Sequence, residues 1–244
     1  MANTASQVSD AELQALRQRF PKPGAGAAIY QFAVILVING YLLYLVMRGQ
    51  TSPVAITAFN FCELLILSVI GHLAQFPVPK AQRLGDTGTS FLQRIVVLAF
   101  ALVWLGFSYS ISIGFDREHI EQVRNAANLL AALETLNIFR PLLLVAFTAL
   151  TATIGDWAYW HRRGGLFVPQ MAVSGAPKVL TLVFAPIPAM LIAAPFARNH
   201  PGMMAVAWSV VYLTVKSVME LGILAYQCIG MPSAAPKKRA AEIG

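Results

Sequence analysis

Long apolar runs separated by short polar turns dominate the chain. Six of them approach or exceed the roughly 20 residues that a helix needs to cross about 30 Å of hydrocarbon: about 28–47, 53–76, 91–113, 141–161, 177–197 and 202–229. Arg48-Gly-Gln-Thr-Ser52 turns the chain after the first, with Ser52 placed to cap the next helix and Pro53 at its first position. Segment 77–90 reads as a loop. Pro186, Pro188 and Pro195 should kink or break the fifth run.

Residues 116–139 follow a different pattern. Ile120, Val123, Ala127, Leu130 and Leu133 fall on one helical face, while Arg117, Glu118, Glu121 and Arg124 point elsewhere. This predicts an amphipathic interfacial helix at the membrane surface, and a surface on which a membrane-complex partner or a second copy of the chain could dock. Ser9-Asp-Ala-Glu12 has capping-box spacing, and Leu13, Leu16 and Phe20 share a face. A short interfacial helix is therefore expected before the first span. The predicted organisation is an N-terminal tail (1–27), a six-helix transmembrane domain (28–230) and a basic tail (231–244). The fold class is an all-α membrane protein: a bundle of six transmembrane helices, with the amphipathic helix between spans three and four.

Composition agrees. Hydrophobic residues make up 57% of the 244 and charged residues 12%, whereas a soluble domain has about 45–50% and about 25%. Soluble, disordered and disulfide-scaffold classes are excluded on those figures. The net charge of +7 sits in connections and tails, which points to the positive-inside rule rather than to nucleic acid. Arg17, Arg19, Lys22, Lys80, Arg83, Arg162, Arg163, Lys237, Lys238 and Arg239 share one side of a six-span topology. Arg48, Arg117, Arg124, Arg140 and Arg198 share the other. The bias places both termini in the cytoplasm. Residues 1–22 are polar, so no cleavable signal peptide is expected. Cys62 and Cys228 fall at different depths, which argues against a disulfide between them.

The informative charges are those inside the spans. An ionised side chain near the bilayer centre costs about 2.5–3.5 kcal/mol on insertion scales. Glu63 lies halfway along the second span and Lys216 halfway along the sixth, with Glu220 one turn further on the same face. Asp156 lies towards the end of the fourth, and Asn39 and Asn60 are at mid-depth. One reading makes Glu63 and Lys216 an ion pair that fixes helix packing, with the asparagines as interhelical partners. The other starts from three carboxylates facing one lysine. The excess acids must be protonated, reach water or hold a cation, as in proton- or cation-linked carriers.

Signatures for other chemistry are missing from the sequence: no G-x-S-x-G, no H-E-x-x-H, no P-loop and no Cys/His cluster. No catalytic motif, metal site or cofactor is expected, and an enzyme built from dispersed residues, with Glu63, Asp156 and the histidines for acid–base work, ranks third among the readings. His72 and His161 read as interfacial residues rather than haem ligands.

Two motifs resemble a known family. Phe59-Asn60-Phe61-Cys62-Glu63-Leu64 and Lys216-Ser-Val-Met-Glu220 are similar to motifs of an uncharacterised bacterial family of multi-pass integral-membrane proteins, a domain of unknown function. In that family an early span carries a Tyr-Trp-x-Glu-type motif and the last a Lys-x-x-x-Asp-type motif. Phe61 stands here where the family has Trp or Tyr, and Glu220 where it has Asp. The resemblance implies a bacterial inner membrane and no particular activity. It singles out Glu63, Lys216 and Glu220, the residues already marked by insertion cost.

Overall fold

The computed structural model describes residues 25–79, part of 95–106, 117–163, 167, 184–199 and 203–229. Its elements are helices: α1 (Ala25–Met47), α2 (Pro53–Leu73), α3 (Arg117–Arg124), α4 (Leu129–Thr135), α5 (Phe139–Arg163), α6 (Pro186–Asn199) and α7 (Met204–Ile229). The predicted N-terminal helix and the basic tail lie outside the described residues.

Local chemistry sets the helix ends. Gly49, at φ 66°, closes α1. Its N–H bonds the Val46 carbonyl and the Gln50 N–H reaches back to Leu45, a pattern that needs the left-handed conformation glycine adopts at no steric cost. Asn137, at φ 57°, ends α4 in the same way, through Asn137 to Glu134 and Ile138 to Leu133. Asparagine is among the few other residues that tolerate this region. Ser52 caps α2 as expected, its Oγ accepting from the Ala55 N–H at 3.2 Å, with Pro53 in the first turn.

Four helices are long and apolar enough to cross a membrane: α1, α2, α5 and α7. The expectation of six is reduced to these four among the described residues. Run 91–113 lies largely outside them, although its described part is helical. Run 177–197 yields α6, whose 14 residues extend about 21 Å at 1.5 Å per residue, short of the hydrocarbon thickness. Pro186 and Pro188 explain the start: in the first turn their missing N–H groups have no intrahelical acceptor to lose. Pro195 is accommodated inside α6.

The amphipathic segment also differs from expectation. It forms two short helices rather than one, broken at Asn125–Asn128, where the Asn128 side chain accepts from the Ala131 N–H at 2.9 Å and starts α4. Ile120, Val123 and Leu133 pack on the main core, whereas Ala127 and Leu130 are exposed. Asn137 Nδ2 donates to the Gln50 carbonyl at 2.7 Å, which pins this segment beside the α1–α2 turn.

Cross-helix contacts set the directions. Asn137, just before α5, meets Gln50 in the α1–α2 turn, and Tyr30, near the start of α1, meets Thr148 and Thr151 further along α5, so α1 runs antiparallel to α5. With the starts of α2 and α5 thus side by side, Trp157 Nε1 near the end of α5 donates to the Ala74 carbonyl just past α2 at 2.9 Å, so α2 and α5 run the same way. Asn60 meets Tyr212 and Glu63 meets Lys216, which aligns α7 with α2. The main core gathers Leu42, Ile56, Phe59, Val145, Trp208 and Tyr212. Ala185, Ala189 and Ala193, spaced one turn apart and fully buried, belong to the same core where α6 packs along α7. Small side chains there allow close helix approach. Large apolar residues such as Phe32, Val37, Phe147, Ile154 and Val218 are exposed on the outside, as a lipid-facing surface requires.

Ala189→Leu should overpack this seam and cost about 1–3 kcal/mol, read as a lower unfolding temperature in detergent. Ile187→Leu, on the exposed face of the same helix, should leave that temperature unchanged.

Candidate intramembrane ion cluster

Lys216 lies at the centre of the site. Its ammonium has three N–H donors and no acceptor, and three oxygens meet it: Asn39 Oδ1 at 2.8 Å, Glu220 Oε1 at 3.0 Å and Glu63 Oε2 at 3.3 Å. Asn39 Nδ2 in turn donates to Glu220 Oε2 at 2.9 Å. Asn39, Lys216 and Glu220 thus close a ring, with each Glu220 oxygen accepting from a different donor. Exposure is 4% for Asn39, 4% for Glu63, 2% for Lys216 and 7% for Glu220. The Phe59 ring completes the wall, its centroid 5.9 Å from Nζ, near the outer limit for cation–π attraction.

Three helices supply these groups: α1 gives Asn39, α2 gives Glu63, and α7 gives Lys216 and Glu220. The i,i+4 spacing puts the last two on one face of α7. Glu63 is held by the longest of the three Lys216 contacts, whereas Glu220 has two shorter ones. Deep in an apolar bundle an ion pair is worth having only when its geometry satisfies both partners, because desolvation costs several kcal/mol per ion.

A second polar layer stands one turn away. Asn60 Nδ2 donates to the Ile56 carbonyl and to the Tyr212 hydroxyl, both at 2.9 Å. Tyr212 is fully buried and stacks on Trp208, with ring centroids 4.9 Å apart. Sequence alone does not single out Tyr212 and Trp208, because aromatic residues in an apolar run look like core. The available signal was spacing: Tyr212 precedes Lys216 by four residues, and Asn60 precedes Glu63 by three.

Asp156 does not join the cluster. The Trp157–Ala74 bond places it beside the end of α2, roughly 15 Å along the axis from Glu63 at 1.5 Å per residue, and it is half-buried. His72 is half-buried and edge-on to Phe76, while His161 is exposed beside Trp160. Among the described residues no three His, Cys, Asp or Glu side chains gather as a metal-binding group. Cys62 and Cys228 are both free thiols.

Lys216→Met removes the partner of two buried carboxylates and should cost about 3–5 kcal/mol, the range for breaking a buried pair. Adding Glu63→Gln removes one of the stranded charges. The double variant should therefore unfold at a higher temperature than Lys216→Met alone, as read by thermal unfolding in detergent. Equal temperatures would mean that the Glu63 charge is no burden once Lys216 is removed.

Comparison with known proteins finds no matching family model, no matching curated protein and no matching solved structure.

Proposed function

We propose that this chain is a small proton- or cation-linked transporter or permeation protein of a bacterial inner membrane, with the Lys216 cluster as its ion-coupling site. The charge sum carries the reading. Two carboxylates surround one ammonium, so the fully ionised cluster holds one uncompensated negative charge in a nearly dry interior. One proton or one monovalent cation neutralises it. Glu63 is the group we assign to exchange that charge, because its contact to Lys216 is the longer of the two, 3.3 Å against 3.0 Å for Glu220. Gain or loss of the proton changes how strongly α2 is held to α7. That is the differential interaction a carrier needs to link ion occupancy to helix position.

Helix direction supports a further part of the reading. Because α2 and α5 run the same way, the connection between Leu73 and Arg117 has to recross the bilayer, and the apolar run 91–113 has the length to do it. The connection after α5 must likewise return to the other side, and α6 supplies part of that crossing. We infer a six-span topology on this basis, with the N- and C-terminal tails on one side. The lysine and arginine bias makes that side the cytoplasm. The two-motif resemblance is consistent with the same membrane.

The alternative is a structural or assembly subunit, in which the cluster only locks α1, α2 and α7 together. Leu129 and Leu130, exposed on α4, would then face a membrane-complex partner or a second copy of the chain.

Proteoliposomes loaded with a pH-sensitive dye separate the readings. Under an imposed pH gradient, with sodium, potassium, choline, amino acids and sugars offered in turn, wild-type protein should show proton movement that depends on at least one solute. Glu63→Gln should abolish it. No proton movement above that of protein-free vesicles, or movement unchanged in Glu63→Gln, would favour the structural reading.

A further inference from the structure

We propose that the ion this cluster exchanges is a proton, and that Lys216 is the residue that keeps sodium and potassium out of it. The inference rests on the transporter reading above and narrows its ion. The Lys216 ammonium stands where a bound cation would have to stand, at the point on which oxygens from α1, α2 and α7 converge. One amide carbonyl and two carboxylates are hard oxygen donors, the kind that hold hard metal ions. Here the chain's own amine fills the position, so the central cation is tethered. Remove it, and the same oxygens become a site for a free monovalent cation.

With Lys216 in place, one negative charge is left to neutralise and little is left to coordinate a second cation. A proton needs a single oxygen, whereas a metal ion must exchange its hydration shell for a ring of them. Asn39 is engaged at both ends of its amide and Glu220 at both oxygens. Among the described residues no third Asp, Glu, His or Cys gathers with Glu63 and Glu220. Carriers that seat alkali ions at mid-membrane use carbonyls freed by unwound helices. By contrast, α1, α2 and α7 are continuous at this level, so their carbonyls accept from their own N–H groups. Buried hydroxyls nearby also turn to their own helices: Thr57 donates to Pro53, Thr148 to Val145 and Thr153 to Ala149. Asn60 Oδ1 accepts no hydrogen bond, but it is one neutral oxygen in the next layer, its amide nitrogen held by Ile56 and Tyr212. Gln75 Oε1, in the same state, lies beyond the end of α2.

Charge works in the same direction. A second cation on Glu63 would sit beside the ammonium in a low-dielectric interior, where like charges repel strongly. A proton avoids this, because it becomes a bond to oxygen and leaves a neutral acid beside one ammonium and one carboxylate. The titratable and charged groups around Glu63 are Lys216, Glu220 and Tyr212 on α7 and Cys62 on α2 itself. Between Ala25 and Met47, α1 carries no charged residue, and on α5 Arg140, Asp156, Arg162 and Arg163 stand towards the ends.

The test is infrared spectroscopy of full-length protein in lipid, perfused with choline, sodium or potassium chloride at one ionic strength and one pH. The protonated-carboxyl stretch is assigned by its loss in Glu63→Gln. In the wild type it should weaken as the pH is raised, and stay unchanged when sodium or potassium replaces choline. Loss of the band on that replacement overturns the proposal and leaves an ion-linked carrier standing. In Lys216→Ala, at least one of sodium, potassium and methylammonium should raise the unfolding temperature above that in choline; methylammonium supplies the missing ammonium head. A folded Lys216→Ala that responds to none of the three also overturns the proposal. Should that variant not fold, the wild-type exchange of salts decides alone. Absence of any Glu63-dependent carboxyl band in all three salts, with no spectral change between them, is a different result, and it removes the transporter reading together with this one.

Discussion

A lysine ammonium at mid-depth in an apolar bundle is the constraint on which the rest of this structure depends. It cannot give up its hydration unless oxygens replace the water, and three such oxygens have to arrive together. Asn39, Glu63 and Glu220 supply them from α1, α2 and α7. Meeting that requirement fixes the rotation and height of three helices at one point. Hydrophobic matching could not do so alone, because the lipid-facing and core-facing residues of these helices are chemically alike.

The surrounding structure is consistent with that point being both a lock and a weak link. Around it, packing relies on small or closely fitted groups: the alanine seam of α6 on α7, the stacked Trp208 and Tyr212, and the Schellman closures at Gly49 and Asn137. None of these carries charge. The cluster sets two carboxylates against one ammonium, and the longer of the two Lys216–carboxylate contacts is the one to Glu63 on α2. A purely structural device needs no excess acid, which is why the charge sum weighs towards an exchangeable ion.

Much of the fold was legible because membrane physics leaves strong marks on a sequence. The Ser52–Pro53 helix start and the extents of α1, α2, α5 and α7 follow from run length and capping chemistry, with ends shifted by only a few residues. The mid-span charges stood out through their insertion cost, and the Lys216–Glu220 pairing through its i,i+4 spacing. Which helices face each other is not written in local pattern. Asp156 and Glu220 therefore looked comparable in sequence, yet only Glu220 reaches Lys216. The break at Asn125–Asn128 was hidden because apolar spacing continued across it, while the asparagine side chain ended one helix and began another. Tyr212 was hidden for a related reason: in an apolar run its ring reads as core, and its hydroxyl gains meaning only from Asn60 on a different helix.

The proposed ion coupling requires one proton or one cation to offset the second carboxylate beside Lys216, where Glu63 and Glu220 share a single ammonium. Solid-state NMR of protein labelled with carbon-13 and nitrogen-15 reads all three side chains in one sample at neutral pH. The account predicts an ammonium nitrogen for Lys216, a carboxylate carbon for Glu220 and a carboxylic-acid carbon for Glu63. A neutral Lys216 amine, or two carboxylate carbons with no cation bound beside them, would contradict it.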